Sequence, residues 1–366
     1  MRQSIPHKTR KGKRDMNRKE FIKGSLALAW AAFLLATCFA GVSPKSAQTN
    51  DAVSPIVTRT PNGVFIVTNS LTLVVENPPV TDFLAVVGYP ATSQYYDIEW
   101  IVPPPRKYVK RFKESNDKYI CFTETNCRKS QKIETVFKAQ FYRVEADFSK
   151  INRIYPYNTS SKLYKDNIRP KEMKENLKVK AFKKAVEELK TESKGNPLEY
   201  ARLAYAYVAN NFRSGEIPNG PEPVLERMFR SKRSGDCGPV HELFVQLLRA
   251  GGVPARLLCC LRPCLNEGRH HVTSEFYLEK WGWIPVDFFG ARNDEGGCPE
   301  NGSFGRYNDH TIAMVRGMHF EVNSAGGKRF VMGFNQGINW WYWNYNGDCG
   351  MPSPTHLFDG VRIEEQ

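Results

Sequence analysis

The sequence predicts an α+β protein, and three patterns predict it. Over residues 64–142, short runs rich in Val, Ile, Phe, Tyr and Thr are separated by Asn-Pro-Pro, Gly-Tyr-Pro and Pro-Pro-Pro breaks, the rhythm of a β-sandwich. Over residues 179–248, apolar residues recur with helical period. Over residues 255–287, apolar runs and period-two alternation return and read as strands. With 366 residues, 41% of them hydrophobic and 12% aromatic, the chain can bury a sizeable core. It divides into a leader over 1–48, a β-sandwich-like domain over 52–150, and a mixed, catalytic domain over 151–366.

The leader begins with Arg10-Lys11-Gly12-Lys13-Arg14 and Arg18-Lys19 and continues into the apolar run Leu26 to Val42. That run is short and rich in small residues for a spanning helix, so it reads as a signal peptide, with a retained membrane anchor as the alternative. Asn17-Arg18-Lys19-Glu20-Phe21-Ile22-Lys23 also looks like a twin-arginine export pattern with Lys in the second slot. Cys38, after Thr37, is a poor lipidation site. Either way the expected location is extracytoplasmic, with the membrane met only through this segment.

Charge points the same way. Residues 1–48 carry ten Lys or Arg and two Asp or Glu, so +8 of the net +14 belongs to the leader and 14 − 8 = +6 to the rest. A mildly basic surface spread over so many residues is weak support for a polyanion, and no nucleic-acid partner is expected.

In the next segment, Val64 to Val67, Leu71 to Val75 and Phe83 to Val87 are the clearest strands, and no catalytic cluster lies among them. Arg143 to Pro170, rich in Asn, Tyr, Ser and Lys, reads as a linker. Lys171 to Lys194 (Val179, Phe182, Val186, Leu189) and Glu199 to Phe212 (Leu203, Tyr207, Val208) read as helices forming one wall of the catalytic domain.

A third helix opens at Ser234-Gly235-Asp236-Cys237-Gly238-Pro239. The two glycines permit a tight turn, Asp236 can cap, and Pro239 suits a first turn. Val240, Leu243, Phe244, Leu247 and Leu248 then repeat at helical spacing. Cys237 therefore stands at a helix N-terminus, where unpaired N–H groups and the macrodipole favour the thiolate, the nucleophilic form. After the stop at Gly251-Gly252, Ala255 to Leu261 reads as a buried strand. His271 to Leu278 alternates as a second strand, and after the turn Glu279-Lys280-Trp281-Gly282, Trp283 to Asp287 reads as a third. Neighbouring strands can carry His271 and Asp287 side by side. If they lie beside the Cys237 helix, the imidazole can take the thiol proton and the carboxylate can orient the ring.

At these residues the chain resembles the transglutaminase-like superfamily. The matches are Gly235-Asp236-Cys237-Gly238, Gly252-Val253-Pro254-Ala255-Arg256, His271 through Glu275, and Trp283 through Asp287, and they cover roughly residues 195–290. The resemblance implies a papain-like catalytic domain with Cys237, His271 and Asp287 as its triad. Thr273 stands where family members usually carry an aromatic residue.

Other histidines compete. His270 precedes His271, and alternation places only one of the two on a given face, with His271 preferred. His241, four residues after Cys237 on the same helix, could reach it, but is expected to be a helix-surface or packed histidine. His310 is expected at a strand edge, with a site rim as the alternative.

Of nine cysteines, Cys38 lies in the leader and Cys237 is assigned to chemistry, which leaves Cys121, Cys127, Cys259, Cys260, Cys264, Cys298 and Cys349. Seven is odd, so at least one stays unpaired. Cys121 with Cys127 is the expected local bridge. Cys260-x-x-x-Cys264 has no histidine at finger-like distance, so neither a metal nor a cofactor is expected. Further on, the aromatic row Trp340-Trp341-Tyr342-Trp343 reads as a strand buried on both faces, or as a stacking platform for sugars.

Three functions fit. The first is an exported cysteine hydrolase acting on an amide or peptide bond through a thioester, with a protein or peptide substrate that includes cell-wall peptide. The second is acyl transfer to an amine by the same triad. The third is a non-enzymatic module that binds glycan or peptide.

Overall fold

The computed structural model describes residues 54–73, 80–112, 117–127, 131–264, 267–288, 303–307, 310–317, 320–332, 339–345, 348–350 and 357–365. The leader lies outside the described residues, as do the side chains of Cys127, Cys264, His270, Cys298, Cys349 and the Trp340–Trp343 row. Among the described residues no helix is long and apolar enough to cross a membrane.

The helical stretch carries six helices: α1 (Lys162–Ile168), α2 (Pro170–Asn176), α3 (Lys180–Ser193), α4 (Pro197–Asn211), α5 (Val224–Ser231) and α6 (Cys237–Ala250). The region expected to be a linker thus ends in a helix, started by Ser161, whose hydroxyl accepts from the Tyr164 N–H. Asn196 caps α4 in the same way, through Leu198 and Glu199. The apolar stripes do what their spacing predicts. Phe182, Val186 and Leu189 of α3, Ala204 and Val208 of α4, and Val240, Leu243, Phe244, Leu247 and Leu248 of α6 all enter one core. Phe244 is fully buried there, a contribution of about 1.5–3 kcal/mol for such a side chain.

That core rests on an antiparallel sheet. Its strands are β7 (Ala255–Cys264), β8 (Glu267–Leu278), β9 (Gly282–Asp287), β10 (Ser303–Phe304) and β12 (Ile312–Arg316), in the order β10-β9-β8-β7-β12. Val272 and Phe276 of β8 and Ile284 and Val286 of β9 face the helices. On the opposite side Leu258, Cys260, Leu261, Ile312 and Met314 pack against a second sheet, through Phe65, Val67, Phe137, Ala139 and Phe141. This sheet is therefore a middle layer between helices and another sheet, which explains why Ala255 to Leu261 reads as an apolar run.

The second sheet comprises β1 (Val57–Leu73), β3 (Tyr96–Val102), β6 (Gln131–Ala146), β11 (Arg306–Tyr307) and β17 (Leu357–Glu365). A third has the order β16-β15-β2-β5-β4, with β2 at Val80–Gly88, β4 at Val109–Arg111, β5 at Lys118–Cys127, β15 at Asn339–Tyr345 and β16 at Asp348–Gly350. A small pair, β13 (Phe320–Asn323) and β14 (Arg329–Met332), packs against the third sheet, through Phe320 and Val322 on Leu84, Val86 and Tyr119. Strand pairing crosses the boundary expected at residue 150, because β11, β15 and β17 join β6, β2 and β1. Chain order alone does not say which sheet edge a late strand will find.

The structure corrects the expected Cys121–Cys127 bridge. Both residues lie on β5, and six residues of strand span ~20 Å, far beyond the ~6 Å between Cα atoms that a disulfide requires. Cys121 is a thiol, pushed up to about 11 by burial. The Thr and Asn between the cysteines suggested a loop, but they extend as strand residues.

Two motif residues of the sheet serve structure. Glu275, buried on β8, accepts from Arg256 Nε at 2.8 Å and from the Tyr95 hydroxyl at 2.7 Å, while the Arg256 guanidinium lies 3.8 Å over the Trp283 ring. Burial, then the Glu275 carboxylate, holds the Tyr95 phenol well above its ordinary range, so it stays a donor. Removing one side of such a buried charge pair costs ~3–5 kcal/mol. Glu275→Ala is therefore expected to lower the urea midpoint by the equivalent amount, whereas a drop worth less than ~1 kcal/mol would mean the pair is solvated like a surface one.

Candidate functional site

The chain is pinned just before Cys237. Ser234 and Gly235 donate their amides to the carbonyls of Arg213 and Gly215, each at 3.0 Å, so the segment after α4 holds the entry to α6. Gly235 has φ +68°, and a Cβ there would stand 2.9 Å from Pro239 Cγ, so the turn needs glycine. Asp236 is the N-cap: its side chain accepts from the Gly238 N–H at 3.1 Å. Cys237 is the first residue of α6 and is half-buried, whereas Gly238, Val240 and His241 beyond it are buried. At the far end, a Cβ on Gly251 would fall 2.2 Å from the Tyr200 ring, while the Tyr200 hydroxyl donates to the Leu247 carbonyl at 2.9 Å. Both ends of α6 are thus fixed by glycines at close approaches.

His271 sits on β8 opposite Cys260, and Asp287 is the last residue of β9, opposite Ser303. Both are buried. His271 Nε2 lies 3.0 Å from Asp287 Oδ2, and the same ring hydrogen-bonds with Cys237. With Nε2 turned to the carboxylate, Nδ1 is the nitrogen left for the sulfur. The three residues chosen in sequence, spread over fifty positions, meet in one chain of contacts.

Electrostatics follow from the burial and the contacts. Burial pushes the His271 imidazole down, but its hydrogen bonds to Asp287 and Cys237, with their charges, outweigh it and raise the group to about 10. Burial would likewise raise the Asp287 carboxyl. Hydrogen bonds from His241 and His271 win, and hold it well below the usual carboxylate range. The favoured state is therefore an ionised Asp287 against an imidazolium, with the sulfur as the imidazolium's other partner. Such a set can deliver a nucleophilic sulfur and a proton to one reacting centre.

One participant has a partner that the sequence did not name. His241, expected as a helix-surface or packed residue, is packed: it is fully buried and reaches Asp287. Its Nε2 is 3.2 Å from Asp287 Oδ1 and its Nδ1 is 2.8 Å from Ser274 Oγ. Helical spacing placed it on the inward face with Cys237, but only the fold shows which strand residue meets it. His310 precedes β12, contacts the Asn62 carbonyl and lies against Phe65 and Phe141, away from these groups. Thr273 is buried with its hydroxyl 3.9 Å from Cys260 Sγ, so the position usually aromatic faces the sheet–sheet layer. Among the described residues no cluster of three or more His, Cys, Asp or Glu could hold a metal ion.

The model of the transglutaminase-like superfamily matches residues 183–288, which contain Cys237, His271 and Asp287. An uncharacterized protein of Haemophilus influenzae is 28% identical over 116 residues, a match that covers 25% of this chain and 31% of that protein's length. Among solved structures, a candidate cysteine protease from Cytophaga hutchinsonii aligns with 84% of this chain and 100% of its own, at 12% identity and a TM-score of 0.43. The periplasmic domain of TgpA from Pseudomonas aeruginosa, bound to ethylmercury, aligns with 62% of this chain and 90% of its own, at 12% identity and a TM-score of 0.33.

Proposed function

Because residues 183–288 of this chain form a transglutaminase-like domain, we propose that the protein is an exported cysteine hydrolase that cleaves an amide or peptide bond through a thioester on Cys237. The observation that carries this reading is the contact chain from Cys237 through His271 to Asp287 at a helix N-terminus.

The steps follow from those contacts. The Cys237 sulfur attacks the carbonyl carbon, and the developing oxyanion is met by backbone donors that include the Cys237 N–H. The His271 imidazolium gives its proton to the leaving nitrogen, the C–N bond breaks, and the acyl group remains on sulfur. Neutral His271 then takes a proton from water, whose oxygen attacks the thioester carbonyl and expels the thiolate, so proton and sulfur return to their starting states. Asp287 keeps one ring tautomer and stabilises the imidazolium throughout.

The basic stretch followed by an apolar run at the start of the chain supports an extracytoplasmic location, and a protein or peptide substrate, cell-wall peptide included, fits that place. The test is incubation of the full chain with a mixed peptide library and excess primary amine, read by mass spectrometry. New termini or deamidated side chains that vanish in Cys237→Ala support hydrolysis. Amine adducts under the same control would redirect the reading to acyl transfer, and no Cys237-dependent product of any kind would overturn it.

A further inference from the structure

We propose that His241 is a positioning residue of this site: it anchors one oxygen of Asp287 so that the other is held toward His271. The inference rests on the proposed Cys237–His271–Asp287 reaction and adds a member to it.

The geometry is that of a carboxylate clasped from both sides. Asp287 Oδ1 meets His241 Nε2 at 3.2 Å, and Oδ2 meets His271 Nε2 at 3.0 Å. The two imidazoles stand at right angles with centroids 6.3 Å apart. One comes from α6, the helix that Cys237 opens, and the other from β8. The carboxylate plane is thereby fixed by two elements that also carry the nucleophile and the base.

The tautomer of His241 decides whether the contact attracts. Its Nε2 also lies 3.3 Å from the Phe288 N–H, and its Nδ1 lies 2.8 Å from the Ser274 hydroxyl. In one form Nε2–H donates to Asp287 and Nδ1 accepts from Ser274. In the other, Nδ1–H donates to Ser274, Nε2 accepts from Phe288, and a lone pair faces an ionised oxygen. A hydrogen bond to a charged group is worth ~1.5–3 kcal/mol net, against ~0.5–1.5 for a neutral one. The first form also avoids lone-pair repulsion and gives up only the longer, neutral Phe288 contact, so His241 donates to Asp287. Ser274 pairs with the ring in either form and holds its orientation from the other side. Asp287 and His271 are titratable groups that face the ring; Phe288 closes it edge-on at 5.1 Å between centroids. His241 is fully buried, so it acts through Asp287 and touches no substrate.

The experiment reads the relay without a substrate: the rate of Cys237 alkylation by iodoacetamide across pH, in the full chain, by mass spectrometry. His241→Met removes the donor, and His241→Gln restores an N–H at similar reach. We expect alkylation at neutral pH to fall about tenfold or more in H241M and to stay within about threefold of wild type in H241Q. The alkaline limb of the profile, where His271 loses its proton, should move to lower pH in H241M alone, because an unanchored carboxylate holds the imidazolium less well. Equal rates and limbs in H241M and wild type would overturn the proposal, as would an upward shift of the limb. Labelling of the buried Cys260 would signal that H241M has opened the fold. In that event Ser274→Ala carries the test, since it frees the ring from its other side and should slow Cys237 severalfold with Cys260 still protected; an unchanged rate there also overturns it. His271→Ala separates the two ideas. If that variant does not slow alkylation, the underlying reaction is wrong; if it does and H241M does not, only the role of His241 fails.

Discussion

Replacing Cys237 by alanine is expected to abolish every hydrolytic product while leaving the fold intact. The sulfur is the atom to which the acyl group is transferred, and removing the nucleophile of a comparable triad costs about 10⁴–10⁶-fold in turnover. Stability should barely move, because Cys237 is half-buried at the start of α6 and its neighbours Asp236 and Gly235 fix the turn through their own backbone and cap contacts. Thermal unfolding within about 2 °C of wild type, together with complete loss of product in the peptide-library assay, is the paired result. Retained product would assign the chemistry elsewhere.

Asp287→Asn should have the second largest effect, and it should show in pH dependence as well as in rate. The variant keeps shape but removes the charge on which both histidines converge. The imidazolium of His271 is favoured in the folded protein, where the group sits at about 10, against an ordinary value of ~6.5. The stabilisation from its pairing is therefore fully present below ~6.5 and is lost as pH rises through the folded value. Without the carboxylate, burial is left to push the group down. The alkaline limb of turnover should fall from near 10 to about 6.5 or lower, with neutral-pH turnover reduced about 10³–10⁴-fold. A full pH–rate profile of kcat/KM in the two proteins checks it; an unmoved limb would show that Asp287 does not govern His271.

How much of this was legible in the sequence depends on the range of the information needed. The helices were legible because burial of one stripe imposes a local period: Phe182, Val186 and Leu189 enter the core where their spacing puts them. The placement of Cys237 was legible because cap, glycine turn and proline are all within a few residues of it. His271 and Asp287 were chosen because they sit on strands that follow in short order, and β8 and β9 do pair, through Ser274–Val286 to Leu278–Gly282. His241 shows where such reasoning stops. Its helix face follows from sequence, but its partner lies 46 residues away, and the meeting depends on how α6 crosses the sheet. The same holds for Glu275, whose role in binding Arg256 and Tyr95 requires the N-terminal segment to fold back 180 residues. The Cys121–Cys127 pairing failed for the opposite reason: a local reading closed the short spacing as a loop, and pairing of β5 with β2 extends it.

The central claim is that His271 activates the Cys237 sulfur. It is tested most directly by the rate at which iodoacetamide alkylates each thiol of the native protein at neutral pH, in wild type and in His271→Ala. The account predicts that Cys237 is modified first in wild type, ahead of Cys121 and Cys260, and that its rate falls at least about tenfold in the variant. A Cys237 that reacts no faster than the other thiols, or whose rate ignores the loss of His271, would contradict it.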